Sequence, residues 1–309
     1  MRKEEFTFES RDGETKLYAV RWIPDTQIKC ILQIVHGMSE YINRYEHVAE
    51  WFCKRGIMVV GEDHLGHGNS VKENGTYGYF CKQDPATVVV RDVHRLKKMT
   101  EEEYPGIPYV IWGHSMGSFI LRNYLFKYGF GIKGAIVCGT GSKPKGLIKM
   151  AKLLANIQGL LLGDKHVAKM LDKMAFGDRT KIPTDQRNDW LSTDHNVAVK
   201  YDADPLCGFT FTVNGFKTLF TLIDRQNKYQ NVERVSKTLP ILLISGDKDI
   251  VGDCGEGAKK VFEEYKKVGI KDVSMKLYPG LRHEIHNEPS KETVFEDILN
   301  WINEKVLSN

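Results

Sequence analysis

The segment that most limits what this chain can fold into is Gly113-His114-Ser115-Met116-Gly117, because of what stands on either side of it. Before it, Tyr109-Val110-Ile111-Trp112 has the β-branched and aromatic make-up of a buried strand; after it, Phe119, Ile120, Leu121, Tyr124 and Leu125 fit a helix. A strand that passes into a helix across Gly-x-Ser-x-Gly does so through a sharp, strained turn that aims the serine hydroxyl out of the sheet. Gly113 and Gly117 remove side chains that would collide where strand and helix approach, and His114 belongs to the same turn. Ser115 is therefore expected to be a nucleophile.

The rest of the first half alternates short apolar runs with amphipathic stretches, the pattern of an α/β protein: a mostly parallel central sheet with helices on both faces. Strands are expected at 15–22, 30–35, 58–62, 109–112 and 135–138, and helices at 45–54 and 86–100. From 141 to 239 the alternation stops and helical runs dominate; it resumes at Pro240-Ile241-Leu242-Leu243-Ile244-Ser245. A strand at 241–245, a helix at 257–268, a strand at 273–278 and a helix at 291–306 complete the pattern. The sequence thus divides into a core, 1–140 and 240–309, and a helical cap, 141–239, inserted over the sheet.

A serine hydroxyl is a weak nucleophile at neutral pH, so it needs a base, and the base needs an acid to orient it. The chain order for such a site is serine, carboxylate, histidine. Gly246-Asp247-Lys248-Asp249 follows one late strand and Gly280-Leu281-Arg282-His283-Glu284 follows the next, both at the strand ends where sites of open α/β sheets gather. His283 is the expected base and Asp249 its partner, with Asp247, Asp253 and His286 as rivals that spacing alone does not remove. The oxyanion of the intermediate needs N–H donors. Met116, next after the serine, supplies one, and Met38, in the turn His36-Gly37-Met38-Ser39 after the strand at 30–35, supplies the other; His36 and Gly37 shape that turn.

Composition removes several classes of partner. A net charge of +4 in 309 residues is too mild for a nucleic-acid binder. Six scattered cysteines show no disulfide or metal-ligand rhythm and are expected to be free thiols. Neither an apolar leader at Met1-Arg2-Lys3-Glu4-Glu5-Phe6 nor a run long enough to span a bilayer is evident, so the cytoplasm is the expected location. Asp63, His64 and His67 look like metal ligands at first sight, but a glycine-bearing turn whose histidines bond to backbone explains them more simply, and no metal is expected. In the cap, the apolar run from Leu147 to Leu162 suits either burial on the core or a lid that guards an acyl site and touches lipid; Phe209, Phe211, Phe216 and Phe220 suit an apolar slot or plain core.

With these residues in place, the chain resembles the monoacylglycerol lipase and lysophospholipase group of α/β-hydrolases. The resemblance rests on His36-Gly37-Met38-Ser39-Glu40 with Arg44-Tyr45, on Asp63-His64-Leu65-Gly66-His67-Gly68-Asn69-Ser70, on the Ser115 turn, on Asp204-Pro205-Leu206-Cys207, and on the Asp249 and His283 loops. It implies the α/β-hydrolase fold with a helical cap, a triad of Ser115, Asp249 and His283, oxyanion donors at Met38 and Met116, and no cofactor. It also favours Asp249 over Asp247. One departure is Ser39, where many members carry glycine. The implied reaction is hydrolysis of acyl esters such as monoacylglycerols or lysophospholipids. The alternatives are a peptidase, thioesterase or acyltransferase with the same triad, or a receptor that binds small molecules without turnover.

Overall fold

The apolar runs of the sequence build a single eight-stranded sheet. The computed structural model describes residues 1–177 and 187–308. Its strands are β1 Arg2–Glu9, β2 Lys16–Ile23, β3 Cys30–Val35, β4 Ile57–Glu62, β5 Tyr109–His114, β6 Gly134–Cys138, β7 Ile241–Gly246 and β8 Val273–Tyr278. They lie in the order β1-β2-β4-β3-β5-β6-β7-β8. β3 to β8 run parallel, while β1 and β2 are antiparallel to their neighbours. Every residue of β3, β4, β5, β6 and β7 is buried, because helices cover both faces; such strands read as continuous apolar runs rather than alternating ones.

One face is covered by α2 Pro85–Glu103, α3 Met116–Tyr128 and the helix at 256–267, packed over side chains such as Ile31, Val35, Ile111 and Val137, with α7 Val213–Gln226 lying on α2 and α3. The other is covered by α1 Glu46–Cys53 and α10 Lys291–Ile302, packed over Leu32, Ile34, Val110 and Trp112. Alternate residues of one strand thus feed two cores. α9 Glu256–Lys267 joins β7 to β8.

Between β6 and β7 none of the described residues adds a strand to the sheet. The described part of this segment holds α4 Lys145–Leu162, α5 Lys169–Phe176, α6 His195–Ala203, α7 and α8 Tyr229–Val232. α4 packs on α7 through Ile148, Ala151 and Ala155 rather than on the sheet. Its other face, with Leu153, Leu160 and Leu161, is open to solvent, and Leu160 is 87% exposed. Burial of the whole helix on the core, one of the two expectations for it, therefore fails. Among the described residues no helix is long and apolar enough to cross a membrane.

The register of the parallel strands brings the functional loops together. Ile34 pairs with Trp112 and Val35 with Gly113, so the 36–39 turn and the Ser115 turn emerge side by side. Gly246 pairs with Tyr278, which sets the Asp249 loop against the His283 loop in the same way.

Two elements differ from the sequence expectation. β1 was not expected: its charged side chains face solvent on an edge strand, Phe8 alone is fully buried, and little hydrophobic period remains to read. The closing helix is regular only to Ile302, after which 303–307 winds more widely as a π turn.

Candidate active site

Ser115 sits between the end of β5 and the first residue of α3 with φ 53° and ψ −120°. A left-handed φ is costly for a residue with a side chain, and it holds here because both neighbours of the turn are tied down. Ser115 N–H donates to Cys138 O on β6 at 3.0 Å, and Ser115 O accepts from Ser118 N–H and from Ser118 Oγ at 2.9 and 2.6 Å. The glycines are steric requirements, as expected. A Cβ on Gly117 would lie 1.9 Å from Val35 O, and one on Gly113 would lie 2.4 Å from Gly117 O.

His283 lies 2% exposed beyond β8, and its Nδ1–H donates to Asp249 Oδ1 at 2.8 Å. That tautomer leaves Nε2 free to accept a proton. Asp249, fully buried, also accepts from Val251 N–H at 2.9 Å, Gly252 N–H at 3.4 Å and Ser245 Oγ at 3.1 Å. Burial alone would push the Asp249 pKa up, but the charge and hydrogen bond of His283 and the two amides outweigh it and hold the carboxylate below its ordinary value. For His283 burial opposes the cation, yet the Asp249 carboxylate wins and the ring titrates above the ordinary histidine value. The rivals do not share this position. Asp247 Oδ1 accepts from Gly280 N–H at 2.7 Å, Asp253 pairs with Lys143 at 2.7 Å, and His286 stacks on Tyr45 with centroids 4.8 Å apart.

A cavity of about 50 Å³ holds Gly37, Met38, Ser115 and His283 in its walls. Met116 opens α3, so its N–H has no helical acceptor. The turn that carries Met38 is fixed from beneath: Gly37 N–H donates to Glu40 Oε1 at 2.6 Å. His36 Nδ1–H donates to Gly37 O at 2.8 Å, and its Nε2 accepts from His64 N–H at 3.1 Å. Burial lowers the His36 pKa to about 4, so the ring is neutral, as those two bonds require. His67 Nδ1 bonds to Leu65 O and Asp63 accepts from Ile42 and Asn69 N–H, so this cluster serves the backbone.

Glu40 belongs to a buried ionic hub. Arg44 donates to Glu40 Oε2 at 2.6 Å and to both oxygens of Glu284 at 2.8 Å. Burial opposes both carboxylates, but Arg44, together with His114 at Glu40, keeps them ionised, with Glu40 held well below its ordinary value. His114 meets Tyr45 Oη at 3.1 Å and the His283 carbonyl at 3.3 Å. The hub therefore joins the Met38 turn to the His283 loop.

A second cavity of about 520 Å³ is mostly apolar and opens beside the first; Phe176, Trp190 and Val251 line both. Phe119, Ile148, Leu219 and Phe220 are among its walls. Of Phe209, Phe211, Phe216 and Phe220, Phe220 faces this pocket, Phe209 faces the small cavity, and Phe211 and Phe216 are core. A larger polar cavity of about 760 Å³, lined by Arg11, Glu14, Lys72 and Arg91, shares no residue with the site. Sequence reasoning missed Trp190 and gave Arg44 and Arg282 no role. Trp190 stands in a segment without hydrophobic period, and only the fold brings it to His283.

Comparison with known proteins places the chain in a family. The Hydrolase_4 family, described as serine aminopeptidase, S33, matches residues 26–290. The chain is 28% identical to the monoacylglycerol lipase of Mycolicibacterium smegmatis over 97% of both chains. It is 29% identical to the human monoglyceride lipase over 95% of this chain and 88% of that one. A thermostable carboxyl esterase from Bacillus coagulans, solved with glycerol, superposes with a TM-score of 0.90 at 31% identity over 99% of each chain. The chain belongs to the Hydrolase_4 family of α/β-hydrolases and is a serine hydrolase of the monoglyceride lipase and carboxylesterase type.

Proposed function

We propose that the protein hydrolyses single-chain acyl esters of small alcohols, monoacylglycerols foremost and lysophospholipids within the same class, through Ser115, His283 and Asp249. The observation that carries this reading is the shared wall: the 520 Å³ apolar pocket meets the Ser115 cavity at Phe176, Trp190 and Val251. An acyl chain in the pocket brings its carbonyl to Ser115.

Ser115 Oγ attacks the carbonyl carbon while its proton passes to His283 Nε2. Asp249 holds the opposite ring nitrogen and stabilises the imidazolium. The oxyanion accepts from Met38 and Met116 N–H. The alcohol leaves with the proton from His283, and water, deprotonated by the same ring, cleaves the acyl-enzyme. None of these steps draws on a cofactor. The family description suggests a second reading, an aminopeptidase. Recognition of a substrate amine needs a free carboxylate, and Glu40 and Glu284, the acids among the described residues that line the Ser115 cavity, are both held by Arg44.

The described insertion acts as the cap, and the open apolar face of α4 touches lipid while substrate enters. Six cysteines without a disulfide suit a cytoplasmic enzyme. The reading is tested with p-nitrophenyl esters of rising chain length, monoacylglycerols, lysophospholipids and an aminoacyl anilide. Cleavage of the esters supports it. Cleavage of the anilide alone moves the protein to the peptidases, and tight binding without turnover makes it a receptor.

A further inference from the structure

Trp190 occupies a singular position between the two cavities. It lines both, and its ring lies tilted over that of His283 with centroids 5.2 Å apart. Its indole N–H donates to Asn188 Oδ1 at 3.1 Å, which fixes the plane of the ring.

The backbone around Trp190 is sewn to the histidine loop. His283 N–H donates to Trp190 O at 3.4 Å and Glu284 N–H to Leu191 O at 2.6 Å. The Arg282 guanidinium donates to the carbonyls of Asp189 and Ser192, the latter at 3.0 Å. Glu288, fully buried, accepts from Arg282 N–H at 2.7 Å through one oxygen. Through the other it accepts from Ser192 Oγ at 3.1 Å, from Thr193 N–H at 2.9 Å and from the Thr193 hydroxyl. With all these donors met, the 188–193 segment and the His283 loop form one body, although they come from the insertion and from the end of the core.

Trp190 thus borders the apolar pocket while its ring lies tilted against the imidazole. We propose that Trp190 is a specificity-determining residue that makes the chemical step depend on the acyl chain, with Arg282 and Glu288 as the positioning residues that transmit its placement to His283. This rests on the ester-hydrolase reading and extends it. Binding energy from the remote end of a substrate raises kcat only where it is converted into geometry at the reacting atoms. Of the described residues that line both cavities, Trp190 is the one whose ring lies against that of His283. A simple wall of the pocket would alter KM alone.

The test measures kcat and KM separately for p-nitrophenyl butyrate and laurate, with wild type, Trp190→Ala and Glu288→Gln. Glu288→Gln keeps the shape of the side chain and replaces one acceptor oxygen by an amide donor, so it loosens the strut without opening the pocket. Wild type is expected to turn over laurate with a kcat at least roughly tenfold above that for butyrate, since a small displacement of a catalytic group costs up to about a hundredfold. The kcat ratio should fall to near one in Trp190→Ala and to an intermediate value in Glu288→Gln. An unchanged ratio in both variants, with only KM moved, overturns the proposal, as does a wild-type ratio of one. Failure of wild type to cleave either ester defeats the ester-hydrolase reading itself, and it shows before any variant is compared.

Discussion

Asp249 Oδ1 receives the Nδ1–H of His283 at 2.8 Å, and both side chains are closed off from solvent. The pair fixes the tautomer of the ring and raises its pKa together. In the proposed mechanism His283 must be neutral to accept the Ser115 proton, so kcat/KM is expected to fall as pH drops, with a midpoint above the ordinary histidine value of 6.5. Asp249→Asn should cut kcat by about 10⁴-fold, because the ring loses both its orientation and its counter-charge. A pH–rate profile of each protein on one ester checks both points. A flat profile from pH 5 to 8 in wild type would remove His283 as the base.

The same pair makes stability and activity move in opposite directions over one pH window. A folded pKa raised above the unfolded one gives His283 a stabilising contribution that is complete below 6.5 and is lost as pH rises through the folded value. Asp249, with its pKa held down, contributes above 3.8 and loses that contribution as pH falls through its folded value. Urea unfolding midpoints from pH 5 to 9 should therefore show a loss at the upper end that Asp249→Asn reduces.

Arg44 is expected to matter first for stability. It satisfies two buried carboxylates, Glu40 and Glu284, that face opposite loops of the site. Arg44→Met removes the guanidinium that both share, and breaking a buried ion pair in this way costs about 3–5 kcal/mol. Chemical denaturation reads that cost directly. A change below about 1 kcal/mol, the size of a surface pair, would contradict it.

Gly117→Ala should be as damaging as a large core change, although it adds one methyl group. The new carbon would lie 1.9 Å from Val35 O and 2.7 Å from His36 O, and both obstacles are backbone. A loss of about 3 kcal/mol or more, with loss of turnover, is the expected outcome. Near-wild-type stability would mean that β3 and α3 are not in the contact described.

On the proposed cap, Leu160 and Leu161 are 87% and 76% exposed on α4. Leu160→Asp with Leu161→Asp should reduce sedimentation with phospholipid vesicles severalfold, while turnover of a short soluble ester stays close to wild type. Equal sedimentation of both proteins would leave this face without the proposed role.

The core of the fold was legible because its strands are buried on both faces and read as plain apolar runs, as at Ile31 to Val35 and Ile241 to Ile244. Ser115 was legible because its turn demands glycine at two fixed offsets. β1 was hidden by its exposed charges, and α4 stayed between core and lid because composition does not say which side of a helix is covered. Trp190, Arg44 and Glu288 each also reach a partner more than 90 residues away, as in the His283–Trp190 and Arg44–Glu284 bonds, and no local pattern marks such partners.

Ser115 is the proposed nucleophile of ester hydrolysis. Turnover of a monoacylglycerol and of p-nitrophenyl butyrate by wild type and by Ser115→Ala tests it most directly. Wild type should cleave both, and the variant should lose at least about 10⁴-fold in kcat while unfolding at the wild-type temperature, because a half-buried hydroxyl at this turn adds little packing. A folded Ser115→Ala protein that retains wild-type turnover would contradict the account.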